Sequence, residues 1–439
     1  MPTLFLTGAS GFVGFQILLQ YLRTTPEDHL VRAALRSQRE ATRLRAIPAL
    51  QPHLSRVSFV EVPDIAAPDA YDAHIACHPD TDGEERTAGE EQGGGAGGVK
   101  EEAQVPDVII HAASPVPCPT QNPYKDIYVP SVRAVENILS SVRKAILLQQ
   151  KGKKPPGERK PRKVVFTSSL AAVTPHAPPA GTHEEEETDP EEKGTGTKTS
   201  AWRIVHISET SSTPAEPADL QSLRPAAMYS AAKAKGLALV ESFCETTFAE
   251  TGDMGTGIDV DAVLPAFVFG PDERATTRGQ VMGSSNALLL GPLFTGDAAG
   301  GAPMPIAGTV VDIRDVAQCH VKLALGRPGL GRGREPREED RRWATPGPRL
   351  NKFLCARDAD WNALLRHARA IAQEKGLVVA PTPRGEAEGE QPEEQKQDAF
   401  ISLPVDIDTR ATEDALGIQF RSPEEMVADL VTYVVGLPD

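Results

Sequence analysis

The 439-residue chain sets 46 Lys and Arg against 61 Asp and Glu, a formal charge of -15, with an ordinary apolar share of 40%. That length holds one large domain or two, and the acidic balance argues against nucleic acid or an anionic membrane as the main partner, since both need a basic face. Cys77, Cys118, Cys244, Cys319 and Cys355 form no C-x-x-C pair, no charged leader precedes the first strand, and no apolar run approaches about 18 residues, so a soluble cytoplasmic protein with no disulfide and no metal site is expected.

Leu4, Phe5 and Leu6 form a short apolar run that enters the turn Thr7-Gly8-Ala9-Ser10-Gly11-Phe12-Val13-Gly14, and Phe15 to Arg23 continue at helical spacing. Strand, glycine turn and helix in this order read as a dinucleotide site, the alternative being an ordinary glycine-containing strand-to-helix turn. Gly8 and Gly11 let the backbone approach a pyrophosphate at the helix N-terminus, and Gly14 lets the helix lie close on the strand. His29 to Arg36 reads as the second strand. It ends in Arg36, with Arg39 close behind, where an NAD site usually places an acid for the ribose 2′-hydroxyl; arginine suits a 2′-phosphate and points to NADP.

Val57 to Val62 is a third strand, and Asp64 and Ile65 follow within reach of an adenine ring. Pro79 to Gln104 has the Gly- and Glu-rich composition of a disordered insertion. Val108 to Pro115 is a fourth, apolar strand, whose end carries the small residues Ala112, Ala113 and Ser114 beside the cofactor. His111 is either a catalytic base or a structural histidine at a strand end. Val129 to Leu148 is an amphipathic helix, and the basic stretch Gln149 to Arg162 is a solvated linker or a localisation patch. The strand Val164 to Phe166 ends in Thr167, Ser168 and Ser169, before the acidic insertion Pro178 to Ser200.

Tyr229 opens a helix running through Phe248, and Lys233 lies one turn further on the same face. Ile258 to Val263 is another strand, followed by Pro265 and Phe267 to Pro271. Thr309 to Val316 carries Asp312, Arg314 and Asp315 and leads into a helix to Leu325. Arg327 to Arg341 and Pro381 to Asp398 are further insertions, and a capped helix begins near Ser422, Pro423 and Glu424. Strands alternating with helices predict an α/β fold, a Rossmann-type doubly wound parallel sheet with a smaller C-terminal substrate lobe. The NADP-binding domain is assigned to 1–264 and the lobe to 265–439, with 309–326 returning to the first domain. Thr174 to Ala226, Ala266 to Gly308 and Trp343 to Asp439 build the lobe.

The glycine turn, Arg36, Val62 to Ile65, the His-Ala-Ala-Ser strand end, Thr167 to Ser169, Tyr-x-x-x-Lys at 229–233 and Asp312 to Val316 together resemble the extended short-chain dehydrogenase/reductases. They are most similar to the branch of dihydroflavonol and cinnamoyl-CoA reductases and fungal NADPH-dependent methylglyoxal and ketone reductases. The resemblance implies NADPH-dependent reduction of an aldehyde or ketone. Tyr229 is then the general acid, Lys233 holds the nicotinamide ribose and depresses the tyrosine pKa, and Ser169 binds the substrate carbonyl, with Ser168 its competitor. It also implies cofactor contacts by Ser10, Phe12, Val13, Thr167, Pro265 and Val268. Two departures stand out: sixty residues separate Ser169 from Tyr229, and Glu40 occupies a place where relatives carry a second basic residue. Rival functions are a sugar-nucleotide epimerase or dehydratase, a hydroxysteroid-type dehydrogenase, and a non-catalytic NADP-sensing protein. Substrate identity and oligomeric state are not written in these motifs.

Overall fold

The computed structural model describes residues 2–76, 105–117, 119–150, 161–174, 205–251, 258–295, 304–326, 350–377, 379 and 399–439. In chain order the elements are β1 (Thr3–Thr7), α1 (Phe12–Thr24), β2 (Leu30–Leu35), α2 (Gln38–Arg45), β3 (Val57–Glu61), α3 (Asp72–Ile75), β4 (Val108–His111), α4 (Val129–Gln150), β5 (Lys163–Thr167), β6 (Val205–Ile207), α5 (Pro225–Thr251), β7 (Asp259–Pro265) and β8 (Phe267–Phe269). Then follow α6 (Arg278–Val281), α7 (Asn286–Thr295), β9 (Met304–Ala307), β10 (Thr309–Asp312), α8 (Ile313–Leu325), β11 (Asn351–Cys355), β12 (Arg357–Asp358), α9 (Trp361–Glu374), β13 (Phe400–Leu403), β14 (Val405–Ile407), α10 (Arg410–Leu416) and α11 (Pro423–Val435).

Seven strands form one parallel sheet in the order β11-β7-β5-β4-β1-β2-β3. Such a sheet is covered on both faces, so its strands are apolar almost throughout. Alternate residues divide between the faces. Leu4, Leu6, Ile110, Val165 and Val263 pack with α1 and α8, whereas Phe5, Ile109, Val164 and Leu264 pack with α4 and α5. Each fully buried Leu, Ile or Phe contributes about 1.5–3 kcal/mol relative to exposure. The reversal of strand order between β1 and β4 opens a crevice at the carboxyl ends of the strands, where ligands of this architecture bind.

A separate core joins α7, α9 and α11 around Trp361, whose Nε1 donates to the Ala307 carbonyl at 2.9 Å. The α11 start is a full capping box: Ser422 Oγ accepts from the Glu425 amide and Glu425 Oε2 from the Ser422 amide, with Pro423 at the first helical position. This is the capped terminus the sequence predicts.

Of the stretch from Trp343 onward, Asn351–Cys355 is the seventh strand of the main sheet, paired in register with β7, and Leu416 and Phe420 join the core under α1 and α8. The buried Asp261 on β7 helps place that strand, accepting from Lys163 Nζ on β5 at 2.6 Å and from Asn351 Nδ2 on β11 at 2.9 Å. The insertions at 79–104, 178–200, 327–341 and 381–398 lie outside the described residues, as do Cys77, Cys118 and all but the ends of 149–162. Cys319 and Cys355 are buried free thiols with sulfurs 3.3 Å apart. No described helix is long and apolar enough to cross a membrane.

Candidate active site

The first wall of the crevice is the glycine turn. Gly8 has φ +74°, and the Gly11 amide donates to its carbonyl at 2.9 Å. A Cβ on Gly8 would meet the Ala112 backbone at 2.7 Å, and one on Gly14 would lie 2.0 Å from the Gly8 oxygen. Only hydrogen fits at these two places. The α1 N-terminus carries no side-chain cap and no acid in its first turn, so its free amides and positive dipole end face the turn without a built-in anion. Phe12 and Val13 begin the helix and pack partly into the core.

Arg36 is exposed at the end of β2 and Arg39 is exposed on α2. The Glu40 carboxylate reaches back between them and the turn, accepting from the Ser10 hydroxyl and the Arg36 amide, each at 3.1 Å. Asp64 lies exposed in the loop after β3, where its Oδ1 accepts from the Ala66 amide at 2.8 Å, and Ile65 is half-buried beside it.

At the β4 end, Thr7 decides the state of His111. Its Oγ1 accepts from the Ala112 and Ala113 amides at 3.2 and 3.1 Å, leaving its own proton for His111 Nδ1, 2.9 Å away. Nδ1 is therefore an acceptor, and the ring proton sits on Nε2. Burial, aided by the Lys233 charge, pushes the His111 pKa down to about 3. A neutral ring with its basic nitrogen occupied cannot take a proton from substrate, which leaves the structural reading. His111 Nε2 and Ser168 Oγ, both buried and without a protein partner, line a small cavity of about 30 Å³ together with Ser114 and Lys233. That volume suits a bridging water.

At the β5 end the two candidate serines part company. Ser168 turns into this cavity, whereas Ser169 caps the following turn by accepting from the Ala171 amide and stands near enough to Tyr229 to lower the tyrosine pKa. The sixty-residue separation is closed because α5 packs on the turn after β5. The helix starts at Pro225, so Tyr229 stands in its second turn rather than opening it. Lys233 Nζ donates to the Thr167 carbonyl at 3.3 Å and lies 5.5 Å from the Tyr229 ring centre. The Thr167 hydroxyl in turn meets His320 Nε2 at 2.8 Å.

Burial raises the Tyr229 pKa to about 12, with the neighbouring Ser169 pulling it back only in part. Burial lowers that of Lys233 to about 8. Within the chain itself desolvation dominates the tyrosine pKa, and the opposing pull comes from Ser169. Pro265 ends β7 at the crevice, while the Val268 side chain is buried in the sheet core.

Sequence reasoning missed Arg274. Its guanidinium is held bidentately by the buried Asp272, donates to the Ser10 carbonyl at 2.6 Å, and lies 5.8 Å from the Phe12 ring centre. It ties the segment after β8 to the glycine turn, and nothing in the local sequence distinguishes it from a surface arginine.

No protein-family model matches the chain. It is 25% identical over 328 residues to the NAD-dependent epimerase/dehydratase ALT6 of Alternaria alternata, covering 72% of this chain and 71% of that protein. Over 332 residues it is 24% identical to the NADPH-dependent methylglyoxal reductase GRE2 of Saccharomyces cerevisiae, covering 75% and 76%. In fold it is similar to the crystal structure of yeast methylglyoxal/isovaleraldehyde reductase Gre2 complexed with NADPH, with a TM-score of 0.63 at 20% identity over 99% of this chain and 98% of that one. In sequence the chain is thus similar to proteins named as an NAD-dependent epimerase/dehydratase and an NADPH-dependent methylglyoxal reductase, and its α/β fold with a seven-stranded parallel sheet is matched along its whole length by that of a reductase.

Proposed function

We propose that the protein is an NADPH-dependent reductase of aldehydes or ketones. The observation that carries this reading is the group of Tyr229, Ser169 and Lys233 at the β5 end of the crevice, opposite the glycine turn. The residues fit a dinucleotide: the turn admits a pyrophosphate only because Gly8 and Gly14 have no side chain, and the open end of α1 supplies amide donors. Arg36 offers an exposed guanidinium for a 2′-phosphate. When bound, the nicotinamide supplies the hydride.

The chain's own residues then handle the oxygen. Ser169 donates toward the developing alkoxide, and Tyr229 gives up its proton, which a pKa of about 12 keeps in place throughout the neutral range. Lys233 holds the ribose and contributes positive charge while protonated. Its pKa near 8 sets a sign: the ammonium is present below that pH and lost above it, so kcat/KM for reduction should fall as pH rises through about 8. A profile level to pH 10 would remove Lys233 charge from the mechanism.

The test of function is NADPH oxidation with a panel of aldehydes and ketones, run beside NADH. Stoichiometric oxidation with formation of the alcohol is expected. Turnover of a sugar nucleotide with no net cofactor consumption would replace this reading with the epimerase or dehydratase alternative that the name of the ALT6 relative suggests.

A further inference from the structure

We propose that Glu40 is a specificity-determining residue that opposes Arg36 and narrows the preference for an adenosine ribose carrying a 2′-phosphate; the inference rests on the dinucleotide reading of the crevice. Two donors face the ribose end of the glycine turn, the Ser10 hydroxyl and the Arg36 amide, and one oxygen of Glu40 accepts from both at 3.1 Å. The Ser10 backbone is held in place through its carbonyl, which accepts from Arg274 at 2.6 Å. A 2′-phosphate arriving beside Arg36 has to displace a carboxylate from the donors it needs, against like charge at close range. A 2′-hydroxyl meets the reverse situation, since it can donate to the same carboxylate. Glu40 therefore does from the first turn of α2 what an acid at the end of β2 does in an NAD site. Arg36 attracts the phosphate and Glu40 resists it, so the preference between the two cofactors is narrow.

A helix-capping role for Glu40 is the competing explanation, because an acid in a first turn favours the helix dipole. The two roles differ in what they change. Isothermal titration of the full chain with adenosine 2′,5′-bisphosphate and with 5′-AMP, at fixed ionic strength, reads the phosphate subsite without turnover. In the wild type the two should bind within about tenfold of each other. Glu40→Gln keeps the shape and one acceptor but loses the charge, and should tighten the bisphosphate about tenfold or more while moving 5′-AMP less than about threefold. Glu40→Ala, which removes the capping oxygen as well, should shift the affinity ratio in the same direction. A loss of thermal stability with an unchanged ratio in both variants overturns the proposal and leaves the capping role. If neither nucleotide binds wild type or variants at millimolar concentration, the proposal falls together with the dinucleotide reading; binding of both with no change in ratio removes the Glu40 assignment alone.

Discussion

Tyr229→Phe is expected to lower kcat by about 10²–10⁴ while leaving the binding of NADPH intact. The ring and its packing are preserved, and the hydroxyl removed is the one whose pKa the neighbouring Ser169 lowers. Ser169→Ala should also act mainly on kcat, through the loss of a donor to the developing oxyanion. The double variant should be scarcely worse than Tyr229→Phe, because both groups serve one transition state. Single-turnover reduction measured alongside NADPH fluorescence titration separates chemistry from binding. A Tyr229→Phe enzyme that reduces its best aldehyde at the wild-type rate removes the tyrosine from the mechanism.

Gly14→Ala should be as damaging for a different reason. The new methyl would sit 2.0 Å from the Gly8 oxygen and 2.6 Å from its carbon. Both are backbone atoms of the turn, so no side-chain rotation can relieve the contact. Either the turn opens or α1 moves off the sheet, and the helix is anchored there by Phe15, Ile17, Leu18 and Leu19, all buried. Overpacking of this kind costs about 1–3 kcal/mol, more where backbone must shift. Thermal unfolding should therefore drop, and the stabilisation that added NADPH gives the wild type should be lost. Gly11→Ala provides the comparison, since its Cβ would meet the Gly8 oxygen only at 3.2 Å and should be milder. Equal effects from the two substitutions would mean that the turn is more compliant than its geometry implies.

Why some of this was legible in sequence and some was not follows from the range over which each feature is determined. The glycine turn, the strands at β1 to β5 and the capping box at Ser422 are set by residues within a few positions of one another, and they stand where the pattern puts them. The pairing of β11 with β7, of β13 with β9 and of β14 with β6 joins short strands from distant parts of the chain. Periodicity within three to five residues cannot announce such partners. The Asp312-Ile-Arg-Asp motif is a further case: its residues do structural work, with Asp312 capping α8, Arg314 bridging Asp312 to Asp429 at 2.6 Å, and Asp315 receiving Arg421. At the site, the order of Thr167, Ser168 and Ser169 left two serines open, and only the side-chain directions separate them. Glu40 was visible as an acid where a base is expected, but its hold on Ser10 depends on the turn folding back beside α2.

The position of β11 bears on how the molecule is made. The six strands β1 to β5 and β7 can pair as the ribosome delivers them, yet the second neighbour of β7, the seventh strand β11, arrives only after α6, α7, α8 and a long intervening stretch have been synthesised. Until then β7, with Val260, Ala262, Val263 and Leu264 destined for the interior, presents one unpaired edge. Such an edge is a template for another chain's strand. A nascent or truncated product ending before Asn351 should for this reason depend on chaperones and tend to aggregate, even though every residue assigned to chemistry has already been translated.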